Sequence, residues 1–227
     1  MPDDSVEPHT LAVPLSPSQV EAASALRTWM PAWVAADAAL DLLRSLSDDA
    51  GLGVVLLKVA ALDRLYGTNV YAIVPMAQHI VTVLAERAED PIALVEAIAP
   101  LSPAPPAQAK TYWSFASKFV HFFLDPDRVP LYDAWAARTL RYHLGLIPLG
   151  PSNPYRQFVQ KVSVLRSLAR LSGSVRELDR YLWLSGMYRQ WKRKPDRAGL
   201  SQEVVSLFSN KAPEVERLLS VLVPPAS

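Results

Sequence analysis

The chain contains no cysteine, which excludes disulfide bonds and thiolate-bound metals. Its four histidines show no spacing, with one another or with acidic residues, that is typical of a metal site. No apolar run approaches the roughly 18 uninterrupted residues that span a bilayer. The acidic N-terminus lacks the pattern of a signal peptide. We therefore expect a cytoplasmic protein that binds no membrane, no metal and no other cofactor.

Glycine is scarce as well, with 8 among 227 residues, and neither a phosphate-cradling glycine loop nor a nucleophile-elbow motif is present. Charge of one sign does not prevail, because 23 basic and 22 acidic residues leave a formal net charge of +1. Any nucleic-acid binding must therefore come from local patches. Half of the residues are hydrophobic, which is ordinary for a globular chain and sufficient for a large core or two small lobes around a cleft.

Apolar residues recur at helical spacing, and no five-residue alternation indicates a strand. The pattern predicts an all-α fold of about ten helices. Breaks in composition predict a flexible arm at 1–17, one lobe built from 18–74 and 145–227, and a central lobe at 75–144. Besides the two helices of the central motif described next, the predicted helices cover 20–29, 32–46, 53–65, 70–89, 91–98, 155–171, 175–187, 201–210 and 213–222.

The stretch 113–140 carries the most informative pattern. Three phenylalanines recur in it at i, i+4 and i+7, which predicts a helix whose apolar face packs against the core. Ser114, Lys118 and His121 recur at the same spacing on another face. This polar line either faces solvent or faces a cleft.

A second helix is predicted to begin near Leu131, because Pro130 fixes φ and lacks an N–H donor, which suits a helix entrance. Asp133 then falls in the first turn, where unpaired N–H groups and the helix dipole favour a carboxylate. Asp133 is either a simple first-turn acid or a carboxylate kept ionised beside a reacting group.

The run Ser-Phe-Ala-Ser-Lys ending at Lys118, followed by Val-Pro-Leu-Tyr-Asp ending at Asp133, resembles the helix-hairpin-helix DNA glycosylases. In that superfamily a hairpin leads through a lysine, where the enzyme also has lyase activity, to an aspartate that opens the next helix. The usual hairpin is glycine-rich, whereas no glycine stands between Lys110 and Leu144. The segment is more similar to a divergent prokaryotic branch, some members of which are tied to phage defence.

The resemblance implies two helical lobes around a cleft and a monomer that acts on double-stranded DNA, here modified phage DNA. Asp133 would stabilise the oxocarbenium character of the sugar as the base leaves and move protons. Lys118 would be the nucleophile that attacks C1′ and forms a Schiff base, which opens a lyase route. The resemblance also suggests the excised base, a hypermodified one such as glucosylated hydroxymethylcytosine.

An enzyme of this kind must hold an extruded nucleotide in a pocket. We predict that Lys58, Tyr66, Asp179 and Trp183 form it. Asp179 and Trp183 share a helix face at i, i+4, where a carboxylate beside an indole would read the exocyclic amine of a base. The alternatives are that Trp183 is core, that Asp179 pairs with a neighbouring arginine, and that Lys58 and Tyr66 belong to helix-end structure.

Phosphate contacts are expected from two places. The densest positive cluster consists of Arg189, Lys192, Arg193 and Lys194, and it is either a phosphate-binding surface or a solvated one. The hydroxyls of Ser114 and Ser117 would replace the glycine amides of the usual hairpin.

Two other functions fit the same sequence. A non-enzymatic helical DNA-binding module is favoured by the missing glycines and the near-neutral charge. An all-α protein-interaction subunit is the other candidate. Salt-dependent DNA binding without base release would indicate the first, and a stable protein partner without DNA binding would indicate the second.

Overall fold

The computed structural model describes residues 10–46, 51–86, 90–101, 111–147, 152–195 and 199–224. Within these ranges the chain forms eleven α-helices and no strand, which confirms the prediction of an all-α fold. The helices are α1 Pro17–Arg27, α2 Pro31–Leu46, α3 Leu52–Tyr66, α4 Ile73–Ala85, α5 Pro91–Ile98, α6 Trp113–Phe123, α7 Ala134–Leu144, α8 Pro154–Leu168, α9 Val175–Arg193, α10 Gln202–Phe208 and α11 Pro213–Leu222. None of these helices is both long and apolar enough to cross a membrane.

Several helix ends follow from local sequence. Ser174 and Glu177 form the predicted capping box at the start of α9, in which each side chain bonds the backbone of the other residue. Gly67 ends α3 in the left-handed conformation at φ 56°, which glycine adopts without steric cost. Helix α9 extends to Arg193, beyond the predicted end at residue 187, because its last turns pack through Tyr188 and Trp191 on Phe208 of α10.

The predicted start of α7 near Leu131 is wrong, and Pro130 is not its entrance. The backbone N–H of Leu131 donates to Asp179 Oδ2 at 3.0 Å, and that of Tyr132 donates to Ser117 Oγ at 3.0 Å. These tertiary bonds hold the segment outside the helix until Asp133. Asp133 is therefore the N-cap of α7 and not a first-turn residue, with Oδ1 accepting from Ala136 N at 2.8 Å.

The helices pack in two sets. In one set α3 packs on α4 and α6, α2 on α3 and α6, and α5 on α4 and α6. In the other α9 packs on α1 and α7, α7 on α8, and α1 on α11. The predicted division places 18–74 and 145–227 in one lobe and 75–144 in the other, whereas α2 and α3 pack with α6 here. The division into these lobes remains a prediction. The predicted breaks fall largely on residues 102–110 and 148–151, outside the described residues.

The predicted N-terminal arm is only partly described. Residues 1–9 lie outside the described ranges. Beyond them Leu15 is buried, and the backbone N–H of Val13 donates to the carbonyl of His143. The stretch 10–16 is therefore fastened to the body of the protein at two points.

Helices α7 and α9 approach each other closely at Gly186. A Cβ placed there would lie 2.7 Å from the backbone oxygen of Trp135 and 2.8 Å from Thr139 Oγ1. Such distances leave no room for a methyl group, so the two helices depend on glycine at this position. The contact fixes the N-terminal turns of α7, and Asp133 with them, against α9.

Candidate functional site

A cavity of about 300 Å³ lies between the two sets of helices. The first set contributes side chains of α2, α6 and the end of α3 to its lining, and the second set contributes those of α1, α9 and the start of α7. Among the predicted site residues, the cavity brings together Lys118, Asp133, Tyr66, Asp179 and Trp183, and also Ser114. The polar line of α6 thus faces a cavity and not open solvent.

Lys118 lies in the second turn of α6 and is 6 % exposed. Its ammonium donates to Ser114 Oγ at 2.6 Å, one helical turn earlier. Burial lowers the pKa of Lys118, while the negative charges of Asp133 and Asp179 act in the opposite direction. The structure therefore holds an amine that loses its proton more readily than an exposed lysine does, which is the form a nucleophile requires.

Asp133 combines a structural role with a place in the cavity wall. Its Oδ1 caps α7, so the carboxylate sits at the positive end of the helix dipole. A carboxylate held in this way is suited to stabilising a positive charge that develops in the cavity.

Asp179 is 4 % exposed and does not pair with a neighbouring arginine, so that alternative is wrong. Its Oδ2 accepts from Leu131 N, and its Oδ1 has no hydrogen-bond partner among the described residues. Burial raises the pKa of Asp179 well above the usual value; the Leu131 amide opposes this effect, Asp133 reinforces it and Lys118 opposes it. Burial thus lowers the pKa of Lys118 and raises that of Asp179, while the attraction between their charges opposes both shifts.

An aromatic wall closes another part of the cavity. Trp33 contacts Trp183 edge-on with ring centroids 4.8 Å apart, and it contacts Tyr66 edge-on at 5.3 Å. Tyr66 in turn lies 5.0 Å from Phe122. Trp183 is half-buried and lines the cavity, where an indole ring suits contact with a flat ligand.

Arginines surround one carboxylate at the α1–α2 end of the cavity. Arg27 bonds Asp37 at 2.7 Å, while Arg176 and Arg180 approach the same carboxylate at 3.9 Å and 3.8 Å. The hydroxyl of Tyr66 donates to the other oxygen of Asp37. Burial, followed by the charge of Asp37, raises the pKa of Tyr66 well above its usual value.

His121 adds a neutral hydrogen-bond acceptor to the lining of the cavity. Its Nδ1 lies 2.7 Å from the carbonyl oxygen of Val129, which can only accept, so Nδ1 carries the proton. Burial lowers the pKa of His121 to about 4, and the ring is neutral at pH 7. Its Nε2 is then an acceptor, and it has no partner among the described residues.

Outside the basic cluster of α9, two predicted site residues do not line the cavity. Lys58 is buried on α3 with its ammonium 5.5 Å from the ring centroid of Phe123. Ser117 is fully buried, where its Oγ donates to the carbonyl of Ser114 and accepts from Tyr132 N. In this structure Ser117 fixes the segment before α7 and presents no hydroxyl to a phosphate.

The expected hairpin position is helical. Residues 114–118 form the first turns of α6, and the connection that precedes this helix includes residues 102–110, outside the described residues. Ser114 lines the cavity and holds Lys118. Its predicted contact with a phosphate remains a prediction.

The basic cluster at the end of α9 divides in two. Lys192, Arg193 and Lys194 are exposed, as a phosphate-binding surface requires. Arg189 is half-buried, donates to Thr139 Oγ1 at 2.9 Å and lies 3.9 Å above the ring of Tyr142. Arg189 therefore joins α9 to α7 in this structure.

The cavity residues that were not predicted include Arg27, Trp33, Asp37, Arg176 and Arg180. Helical spacing could have indicated some of them, because Asp37 lies four residues after Trp33 on α2 and Trp183 lies three residues after Arg180 on α9. The sequence did not indicate that α1 and α2 face α9. The described residues contain no group of three or more histidine, aspartate and glutamate side chains able to hold a metal ion.

A family model named HI_0787_N and described as an N-terminal domain matches residues 22–128. The match covers less than half of the chain. It includes the cavity residues Arg27, Asp37 and Lys118 but neither Asp133 nor α9. No curated protein and no solved structure matches the chain.

Proposed function

We propose that the protein is a DNA glycosylase that excises a modified base and leaves an abasic site. The observation that carries this proposal is the convergence of Lys118 and Asp133, 15 positions apart in the chain, on one cavity. The resemblance of the segment that contains both residues to the helix-hairpin-helix glycosylases supports the same chemistry. The cavity of about 300 Å³ is at the small end for ligand sites, as expected for a single extruded base.

The chemistry requires the C1′–N bond to break while positive charge develops on the sugar. Asp133, the N-cap of α7, would stabilise that charge and orient a water for attack at C1′. The products of this route are the free base and an abasic sugar with a hydroxyl at C1′. The departing base accepts a proton, for which the carboxyl of Asp179 is placed in the same cavity.

Lys118 opens a second route. Its neutral amine would attack C1′, expel the base and give an iminium that water hydrolyses or that eliminates the 3′ phosphate. The lowered pKa of Lys118 supports this role, because the amine then has its lone pair free more often at neutral pH. Asp133 would take up the proton that the attacking amine loses.

Mass spectrometry of bases released from several phage genomes tests the proposal. We expect wild-type protein to release a modified base. We propose that this base is a hypermodified one of phage DNA, such as glucosylated hydroxymethylcytosine. A borohydride trap then separates the two routes, since it cross-links DNA to wild-type protein but not to Lys118→Gln if the amine attacks. Absence of any released base from all genomes contradicts the glycosylase proposal.

A base-binding module without chemistry is the second candidate. It is favoured by the engagement of both key groups in the protein itself, because Lys118 bonds Ser114 and Asp133 caps α7. DNA binding with no base release and no abasic sites would support this candidate.

A further inference from the structure

The cavity has one wall that the proposed chemistry does not use. This wall, called here the arginine wall, consists of Arg27, Asp37, His121, Arg176 and Arg180. Lys118, Asp133 and Asp179 supply the groups for breaking the glycosidic bond. The arginine wall therefore calls for a separate explanation.

Three side chains of the arginine wall keep an unpaired polar atom. Arg27 Nη1 and Arg180 Nε are buried donors without a partner among the described residues, and His121 Nε2 is a buried atom in the same condition. Buried polar groups are normally paired, because an unpaired one has lost its hydrogen bonds to water without gaining others. Three such atoms on residues of one cavity indicate a ligand that supplies their partners.

The types of these atoms define the ligand group. The two arginine atoms require an oxygen that accepts, and the wall carries three arginines against the carboxylates of Asp37 and Asp41, which favours acceptors further. His121 Nε2 requires a group that donates, because Nδ1 already holds the ring proton for Val129. A carboxylate or phosphate accepts but does not donate, whereas a hydroxyl group does both.

We infer that the arginine wall is a subsite for a hydroxyl-bearing substituent on the base that enters the cavity. In naming a base, the inference rests on the proposed function. The ring lies along Trp183, and the substituent extends towards Arg27, His121 and Arg180, which line the same cavity. The three unpaired atoms are covered by neighbouring protein atoms. The inference therefore requires these side chains to turn when the substituent enters.

The test uses four 2′-deoxycytidines that carry methyl, hydroxymethyl, carboxyl or glucosyloxymethyl at position 5. Binding is followed by the fluorescence of the cavity tryptophans Trp33 and Trp183. We expect the hydroxyl-bearing nucleosides to bind about tenfold or more tightly than the methyl form, since each new hydrogen bond contributes about 1 kcal/mol. Tighter binding of the carboxyl form than of the hydroxymethyl form, equal binding of the methyl and hydroxyl forms, or no binding of any nucleoside overturns the subsite.

Two variants test which residues cause the preference for hydroxyl-bearing nucleosides. His121→Asn keeps a donor for the Val129 carbonyl and removes Nε2, and Arg180→Met keeps the apolar stem and removes the donor. Each should lose most of the preference for hydroxyl-bearing nucleosides over the methyl form. Arg180→Lys, which keeps the charge facing Asp37, serves if Arg180→Met fails to fold. Arg217→Met on the exposed side of α11 is the matched control. A preference that survives in both His121 and Arg180 variants overturns the assignment.

Base release from duplexes with the same four modifications separates this inference from the proposed function. Selective nucleoside binding without any base release contradicts the glycosylase proposal and leaves the subsite standing. Base release without regard to the substituent supports the glycosylase and overturns the subsite.

Discussion

Two buried histidines in this protein share one electrostatic property and differ in their hydrogen bonds. Burial lowers the pKa of both His121 and His143 to about 4. His143 is fully paired, with Nδ1 donating to the carbonyl of Val13 at 2.8 Å and Nε2 accepting from the hydroxyl of Tyr181 at 2.7 Å. His121 lines the cavity and leaves Nε2 unpaired.

The difference extends to their surroundings. Around His143, the side chain of Gln19 bonds both Tyr181 and the carbonyl of Leu222, so this paired cluster ties α1 to α9 and to the end of α11. Around His121, Asp179 also keeps an unpaired oxygen. A shifted pKa alone therefore does not distinguish a structural group from a functional one, whereas incomplete hydrogen bonding within a cavity does.

The largest expected effect is a loss of activity that follows a change in the cavity and not in the paired cluster around His143. Asp133→Asn keeps a capping oxygen for Ala136 N and removes the charge from the cavity. We expect base release to fall by about 10³-fold, the loss typical for a group that stabilises transition-state charge. The free energy of unfolding should change by less than about 1 kcal/mol, since asparagine caps a helix as well as aspartate does.

Asp127→Asn is the matched control, because Asp127 is an exposed acid of the preceding turn. Single-turnover base release and urea unfolding measure both properties for each variant. Full activity of Asp133→Asn would remove the carboxylate from the proposed mechanism, and equal losses in both variants would point to a general effect of charge on DNA binding.

Both histidines predict the same response to acid. The unfolded chain takes up protons near the ordinary histidine pKa of about 6.5, while the folded chain takes them up only at about 4. The free energy of unfolding therefore falls as pH drops through this window, by about 3 kcal/mol for each histidine. The raised pKa of Asp179 acts in the opposite direction, because the folded protein then binds that proton more readily.

Urea unfolding of wild type, His121→Asn and His143→Asn between pH 7 and pH 4.5 measures how much each histidine contributes to the loss of stability in acid. We expect either substitution to flatten the profile by a similar amount, while only His121→Asn alters nucleoside binding. A profile unchanged by both substitutions contradicts the neutral state assigned to the two rings.

Sequence patterns predicted the helices and much of the cavity for local reasons. Helical spacing placed Ser114, Lys118 and His121 on one face, and the i, i+4 relation placed Asp179 beside Trp183. The start of α7 was missed because tertiary bonds to the backbone of Leu131 and Tyr132 override the signal of Pro130. Local patterns contain no information on such partners.

The arginine wall was missed for the same reason. Arg27 and Asp37 lie on α1 and α2, far along the chain from Arg180 on α9, and only packing brings them together. Lys58 shows the opposite error. A lysine in an apolar run suggested a cleft, whereas its ammonium lies near the ring of Phe123, outside the cavity.

A smaller effect tests the paired cluster. Tyr181→Phe removes the hydroxyl that donates to His143 Nε2 and accepts from Gln19. Leaving these buried partners unpaired should lower the free energy of unfolding by about 2 kcal/mol. Base release and nucleoside binding should stay as in wild type, since Tyr181 does not line the cavity. Loss of activity at unchanged stability would show that the two regions are coupled.

The smallest effect has the opposite sign. Lys118→Met replaces a buried amine, whose pKa burial lowers, with an apolar chain of similar length. Because a buried cation costs free energy that an apolar side chain does not, we expect unfolding to require about 1 kcal/mol more than in wild type. Lys58→Met is the control. Lys58 is also a buried lysine, but its ammonium lies 5.5 Å from the ring centroid of Phe123, a cation–π contact that offsets the cost of burial and that methionine loses, so we expect no gain. Urea midpoints at pH 7 measure both. A loss of stability in Lys118→Met would place Lys118 with the paired, structural groups and would weaken its assignment as a group held in the cavity for chemistry.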